Sequence, residues 1–234
     1  LCLPSISRKK EFNLCNGILP DLRDTAEKYV PLNLKLSKGV NVLFGANMTG
    51  KTTVLKTVFF HLVCFKVGLP VPAESLESYV PREFDLHLRS SGNLQKGLSG
   101  FGEEIQFFSQ AETDSSFYLI DELFHTTDPV SGAELSQIFL ESYADCESIL
   151  LVSSHYPEVL NCSDATFFRM KDLEDIDKAD DIMDVLKNVP FEIEQVSSKQ
   201  LKAKLSDHLQ PLKIALKFQL PESIKQQIRK RLDN

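Results

Sequence analysis

Nine residues constrain this chain more than any others: Gly45-Ala46-Asn47-Met48-Thr49-Gly50-Lys51-Thr52-Thr53. Ahead of them, Val40-Asn41-Val42-Leu43-Phe44 is a short apolar run that reads as a buried strand. Behind them, residues 52–66 read as a helix ending near Gly68, where Leu69-Pro70-Val71-Pro72 breaks it. A tight turn from strand into helix aims backbone N–H groups and the positive helix end at one spot, which suits an anion. Gly45 and Gly50 allow torsions that a side chain would forbid. The spacing is the G-x-x-x-x-G-K-[ST] pattern of a phosphate-binding loop. In that pattern Lys51 reaches the β- and γ-phosphates of a nucleotide and the Thr52 hydroxyl ligates Mg²⁺. A chance glycine-containing turn is the alternative, and the strand before and helix after argue against it.

Acidic residues supply the second part of the pattern. Ser116-Phe117-Tyr118-Leu119-Ile120 is apolar, ends in Asp121-Glu122, and reads as a buried parallel strand. If it lies near the loop strand, its C-terminal end opens on the same crevice. Asp121 would then hold Mg²⁺, and Glu122 would orient or deprotonate the attacking water. His155 closes the next apolar run, Ser148-Ile149-Leu150-Leu151-Val152-Ser153-Ser154, and is placed to sense or stabilise the γ-phosphate. Ser99, in Gly97-Leu98-Ser99-Gly100-Phe101-Gly102-Glu103-Glu104, stands at a helix start. That position serves either an anion or a plain N-cap.

The remaining elements alternate, predicting an α/β fold with a mostly parallel central sheet flanked by helices and an antiparallel β part. Pro31-Leu32-Asn33-Leu34-Lys35-Leu36 alternates as a half-exposed strand, and Phe84-Asp85-Leu86-His87-Leu88 is a candidate strand. Helices are predicted from Phe101 to about Glu112 and from Gly132 to about Tyr143. Two later, more exposed strands are expected at Ala165-Thr166-Phe167-Phe168-Arg169-Met170 and at Phe191-Glu192-Ile193-Glu194-Gln195-Val196, with an acidic loop at 171–184 between them. Residues 1–30 carry no clear pattern and read as a lead-in segment; 31–200 form the main domain, and 201–234 are helical with breaks at Pro211 and Pro221.

Composition narrows the setting. The 234 residues are 42% hydrophobic and 25% charged, enough for one large domain. A net charge of −7 argues against extensive nucleic-acid backbone contact by these residues alone. Cys2, Cys15, Cys64, Cys146 and Cys162 are odd in number and form no C-x-x-C pair, so a reducing cytoplasm is the simplest location. The most apolar segment, 54–69, contains His61 and Lys66 and is too short to span a bilayer, so no membrane role is expected.

Taken together, these motifs resemble the ATPase domain of the MutS family, a branch of the ABC-type P-loop ATPases. Asn47-Met48 inside the loop is the specific part, since a generic phosphate loop does not demand it. Gly68-Leu69-Pro70-Val71-Pro72-Ala73 resembles the family's G-x-x-V-P-A, and Ser99-Gly100-Phe101 with Glu104 resembles its S-T-F-x-x-E-M signature. Ser116 to Glu122 resembles S-L-x-L-x-D-E, Ser154-His155-Tyr156 resembles T-H-Y, and Leu220-Pro221-Glu222-Ser223-Ile224 resembles the closing helices. The resemblance implies ATP and Mg²⁺ as ligands and ATP hydrolysis as the activity. It implies that Asn47 and Met48 shape the loop and that His155 is a switch histidine. It implies that Ser99 meets the γ-phosphate held by a second MutS-type subunit, so that a dimer with composite sites works as a nucleotide-switched clamp, with 201–234 touching the partner. Tyr29 falls where an adenine-contacting segment would lie.

The departures are also specific. After the acid pair the family reads G-R-G-T-S-T-x-D-G. In the corresponding segment, Leu123-Phe124-His125-Thr126-Thr127-Asp128-Pro129-Val130-Ser131-Gly132, only Thr127 and Gly132 match. The family's paired acids before the signature are Gly92-Asn93 here. DNA contact would need domains absent from this chain. The alternative is a MutS-like ATPase that remodels or reactivates a protein partner, such as an aminomutase. A small-molecule kinase is a weaker third reading, because Asp121-Glu122 with His155 suits hydrolysis.

Overall fold

The computed structural model describes residues 1–23, 30–45, 49–88, 100–111, 114–170, 192–204, 212, 215–218 and 220–232. Its strands are β1 (Ser5–Ile6), β2 (Glu11–Gly17), β3 (Leu32–Ser37), β4 (Gly39–Phe44), β5 (Ser75–Ser78), β6 (Phe84–His87), β7 (Phe117–Ile120), β8 (Ile149–Ser154), β9 (Thr166–Met170) and β10 (Ile193–Val196). The helices are α1 (Pro20–Arg23), α2 (Lys51–Lys66), α3 (Gly100–Gln110) and α4 (Pro129–Ser142), followed by helical segments at Ser198–Lys204 and Glu222–Leu232. Among the described residues no helix is long and apolar enough to cross a membrane.

The larger sheet has six strands in the order β10-β9-β4-β8-β7-β6. Every pairing in it is parallel except β10 on β9. Strands β4, β7 and β8 are largely apolar and buried along almost their whole length because both faces of this sheet are covered. Alternate side chains enter two separate cores. Leu43, Phe117, Leu119, Ile149 and Leu151 pack with α2 and the smaller sheet. Val40, Val42, Tyr118, Ile120, Leu150 and Val152 pack with α3 and α4. Burying one such Leu, Val or Ile side chain contributes roughly 1.5–3 kcal/mol.

The smaller sheet has the order β1-β5-β2-β3 and is antiparallel where β2 meets β3 and β5. Its strand β3 alternates as expected, with Leu32, Leu34 and Leu36 buried. Strand β2 lies in the segment that carried no clear pattern, yet Phe12 and Leu14 are buried in the same core.

Two expectations need correcting. Helix α4 starts at Pro129 rather than Gly132, because Asp128 caps it by accepting a hydrogen bond from the Ser131 N–H at 2.9 Å and Pro129 sits in the first turn. Strand β9 was expected to be more exposed; Phe167, Phe168 and Met170 are buried because it pairs with β4 inside the sheet. The acidic loop at 171–184 lies outside the described residues.

Candidate functional site

In a parallel sheet the strands' C-terminal ends share one edge, and β4, β8 and β7 are neighbours. The loop after β4, His155 after β8, and Asp121-Glu122 after β7 therefore emerge side by side. Residues more than 100 positions apart meet here because of topology alone: Phe44 pairs with Ser154 in the register that brings Val42 opposite Val152.

Gly50 caps α2 with φ 95°, a left-handed torsion that glycine adopts without strain. Thr49 and Lys51 are buried behind it. The Lys51 ammonium donates to the Gly45 carbonyl at 2.8 Å. Burial pushes the Lys51 pKa down, while the nearby Glu122 and Asp121 carboxylates oppose that shift. Thr52, in the first turn of the helix, donates its hydroxyl to Asp121 Oδ2 at 2.6 Å, and Thr53 follows on the same turn. The other Asp121 oxygen, Oδ1, accepts from the Ser153 hydroxyl at 2.6 Å. Ser153 Oγ in turn accepts from the Glu122 N–H at 2.8 Å, so the end of β8 fixes both acids.

Thr52 and Asp121 present adjacent hard oxygens. Among the described residues no group of three His, Cys, Asp or Glu side chains gathers to cage a metal. That donor set fits Mg²⁺, which takes one or two protein oxygens and completes its shell with water and phosphate.

Glu122 and Phe124 both have left-handed backbone, φ 53° and 52°, which costs a non-glycine residue about 1–2 kcal/mol. This sharp turn returns His125 towards Glu122, with Nε2 3.5 Å from Glu122 Oε2. The His125 ring stands edge-on to His155 at 5.9 Å between centroids, and His155 lies 4.6 Å from the Tyr156 ring. Lys51, Thr52, Asp121, Glu122 and His155 are thus gathered, with His125 among them. Ala46, Asn47, Met48, Ser99 and Tyr29 lie outside the described residues.

Three contributors had no chemical role assigned to them from the sequence, Glu104 entering only as part of the signature match. His125 was visible only as a departure from the family's wording. Ser153 was the penultimate residue of an apolar strand. Glu104, 3% exposed on α3, accepts from the Phe124 N–H at 3.1 Å and from the Thr126 hydroxyl at 2.8 Å. Burial raises its pKa, and these two donors partly offset the shift. Gly132 on α4 is held by closeness: a Cβ there would stand 2.6 Å from the Phe124 carbonyl oxygen and 2.7 Å from the Tyr156 hydroxyl.

Comparison with known proteins follows the same lines. A family model described as MutS domain V matches residues 41–234. The DNA mismatch repair protein Msh3 of Homo sapiens is 28% identical over 168 residues, 68% of this chain and 15% of that protein. The DNA mismatch repair protein MutS of Wolbachia pipientis wMel is 29% identical over 167 residues, 68% of this chain and 19% of that protein. Endonuclease MutS2 of Lactococcus lactis subsp. cremoris (strain MG1363) is 30% identical over 164 residues, 67% of this chain and 21% of that protein. The chain spans about a fifth or less of the length of these relatives.

Proposed function

Because the chain belongs to the MutS family, matching its domain V over residues 41–234, we propose that it binds and hydrolyses ATP with Mg²⁺ at a P-loop of the ABC type. One observation carries the reading: the Thr52 hydroxyl lies 2.6 Å from Asp121, joining the two sequence motifs across 69 residues.

In this reading the loop 45–53 wraps the phosphates of ATP with its backbone N–H groups. Lys51 leaves the Gly45 carbonyl for the β- and γ-phosphate oxygens, exchanging a neutral acceptor for a charged one. Thr52 and Asp121 hold Mg²⁺, which when bound offsets the negative charge shared by the phosphates. Glu122 accepts a proton from the water whose oxygen bonds to the γ-phosphorus, as the bond from that phosphorus to the ADP oxygen breaks. His155 contacts the γ-phosphate side of the site. Ser99 completes the site of a second MutS-type subunit, so that the domain at 31–200 works as half of a nucleotide-switched clamp. Residues 201–234 contact the partner, and within the lead-in segment 1–30 strand β2 is an inner strand of the smaller sheet.

Mismatch-bearing DNA, reached through other domains, is the first choice for what the cycle drives, on the strength of the relatives' names. The net charge of −7 favours a second choice, remodelling of a protein partner. Purified protein should hydrolyse ATP only with Mg²⁺. Lys51→Ala should lose ATP affinity, and Glu122→Gln should keep affinity, lose about 10²-fold or more in turnover and accumulate as an ATP-bound dimer. Unchanged ATP affinity in Lys51→Ala would show that the loop is wrongly assigned, and an ATP-bound Glu122→Gln monomer would remove the composite site. Stimulation of turnover by mismatched duplex at stated salt selects the DNA choice, and its absence the protein-partner choice.

A further inference from the structure

The buried carboxylate on α3 has no part in the chemistry just described, and it is an expensive way to fill a core position. A leucine would occupy similar space without a charge to desolvate. What Glu104 supplies is two acceptors aimed at one turn, Oε1 at the Phe124 N–H and Oε2 at the Thr126 hydroxyl. That turn carries Glu122 on one side and His125 within it, and its backbone is left-handed at Glu122 and Phe124. Left-handed non-glycine torsions persist only where the surroundings impose them.

Those surroundings come chiefly from α3. The Phe124 ring is fully buried and packs against Phe101 at 6.2 Å and Phe108 at 5.6 Å, both on α3, and against Phe139 of α4 at 5.6 Å. The Tyr156 hydroxyl donates to the Phe124 carbonyl at 3.5 Å. Ring and carboxylate thus fasten one helix to one strained turn.

We propose that Glu104 is a positioning residue for hydrolysis: by holding the Phe124 N–H and the Thr126 hydroxyl it sets the aim of Glu122 and His125 and ties that aim to the position of helix α3. This rests on the ATPase reading for its catalytic consequence, but the hold itself does not. Because α3 begins at Gly100, directly after Ser99, whatever engages the start of the helix acts on Glu122 of the same subunit through this clamp.

Three variants test it, with hydrogen exchange of the Phe124 amide, nucleotide affinity and turnover measured on each. In Glu104→Gln the side chain still accepts from the Phe124 N–H and donates to Thr126 Oγ, so turnover and amide protection should stay within about 3-fold of wild type. Glu104→Leu should lose about 10–100-fold in kcat through a misplaced Glu122, with ATP affinity kept within about 3-fold. Its Phe124 amide should exchange at least about 10-fold faster. Thr126→Val removes only the Oε2 contact at an exposed position and should show the same changes in smaller degree. Wild-type kcat and protection in Glu104→Leu would overturn the proposal. So would Glu104→Leu unfolding at the assay temperature while Thr126→Val matches wild type in kcat and exchange, since Glu104 would then be structural only. If the wild-type protein hydrolyses no ATP, the ATPase reading fails, and the exchange measurements still decide whether the clamp exists.

Discussion

Ser153→Ala removes one oxygen that serves both acids. Its hydroxyl donates to Asp121 Oδ1 at 2.6 Å and accepts from the Glu122 N–H at 2.8 Å, in a position with no exposed surface. The bond to the carboxylate is charge-assisted and contributes about 1.5–3 kcal/mol; the bond from the amide contributes about 0.5–1.5 kcal/mol. Alanine leaves no donor or acceptor in their place, and the strand interior offers little room for water. The expected loss of stability is therefore about 2–4 kcal/mol. In a chain of this size that lowers the unfolding midpoint by about 5–15 °C. The effect on function is separate. Among the described residues the Thr52 hydroxyl is then the one side-chain hydrogen bond left to the Asp121 carboxylate, and loss of such a supporting contact typically weakens metal binding about 10–100-fold. Thermal unfolding followed by circular dichroism gives the first quantity, and the Mg²⁺ concentration for half-maximal ATPase gives the second. A midpoint within about 2 °C of wild type, together with an unchanged Mg²⁺ requirement, would refute the claim that Ser153 organises the acid pair.

Gly132→Ala would ordinarily stabilise a helix by about 0.5–1 kcal/mol. Here its Cβ meets the Phe124 carbonyl oxygen at 2.6 Å, so a net loss of about 1–3 kcal/mol is expected, read from the urea midpoint. A midpoint at or above wild type would show that α4 yields without disturbing the turn. A pH series tests the buried charge of Glu104. Its pKa is raised above 4.5 by burial, so the folded state favours the protonated form. The stability this gives is present below pH 4.5 and is lost as pH rises through the raised value. Glu104→Gln has no such loss, so its unfolding midpoint should gain on wild type as pH rises above 4.5; a difference that does not change with pH would argue against a desolvated carboxylate.

Much of the scaffold was legible because the central strands are covered on both faces. Runs such as Ile149-Leu150-Leu151-Val152 leave no solvent side, and length then separates strand from helix. The loop was legible because its glycines, lysine and threonine lie within nine consecutive residues. Strand β2 was not, since Phe12 and Leu14 are separated by polar residues and gain meaning only from pairing with β3 and β5. Four-residue β5 places only Leu76 in the large core, too little for a periodic signal. The start of α4 was readable in Asp128-Pro129, a cap followed by a first-turn proline, but the glycine match at 132 drew the boundary inward. What Ser153 and Glu104 hold was silent for a different reason, although Glu104 itself stood in the signature match. Their partners lie 31 and 20 residues away, and no local spacing records a contact closed by the fold.

The placement of β4 also sets a schedule for the chain's synthesis. This strand lies between β8 and β9, and Asn41 bonds a carbonyl 109 residues further on. At about 5–20 residues per second a ribosome needs roughly 5–20 s to deliver that partner. Through that interval a strand with the sequence Gly-Val-Asn-Val-Leu-Phe has both edges open, the condition under which strands pair with neighbouring chains. The loop after β4 therefore hangs from one of the last strands to find its place, and nascent chains cut short before β8 should be aggregation-prone clients for chaperones.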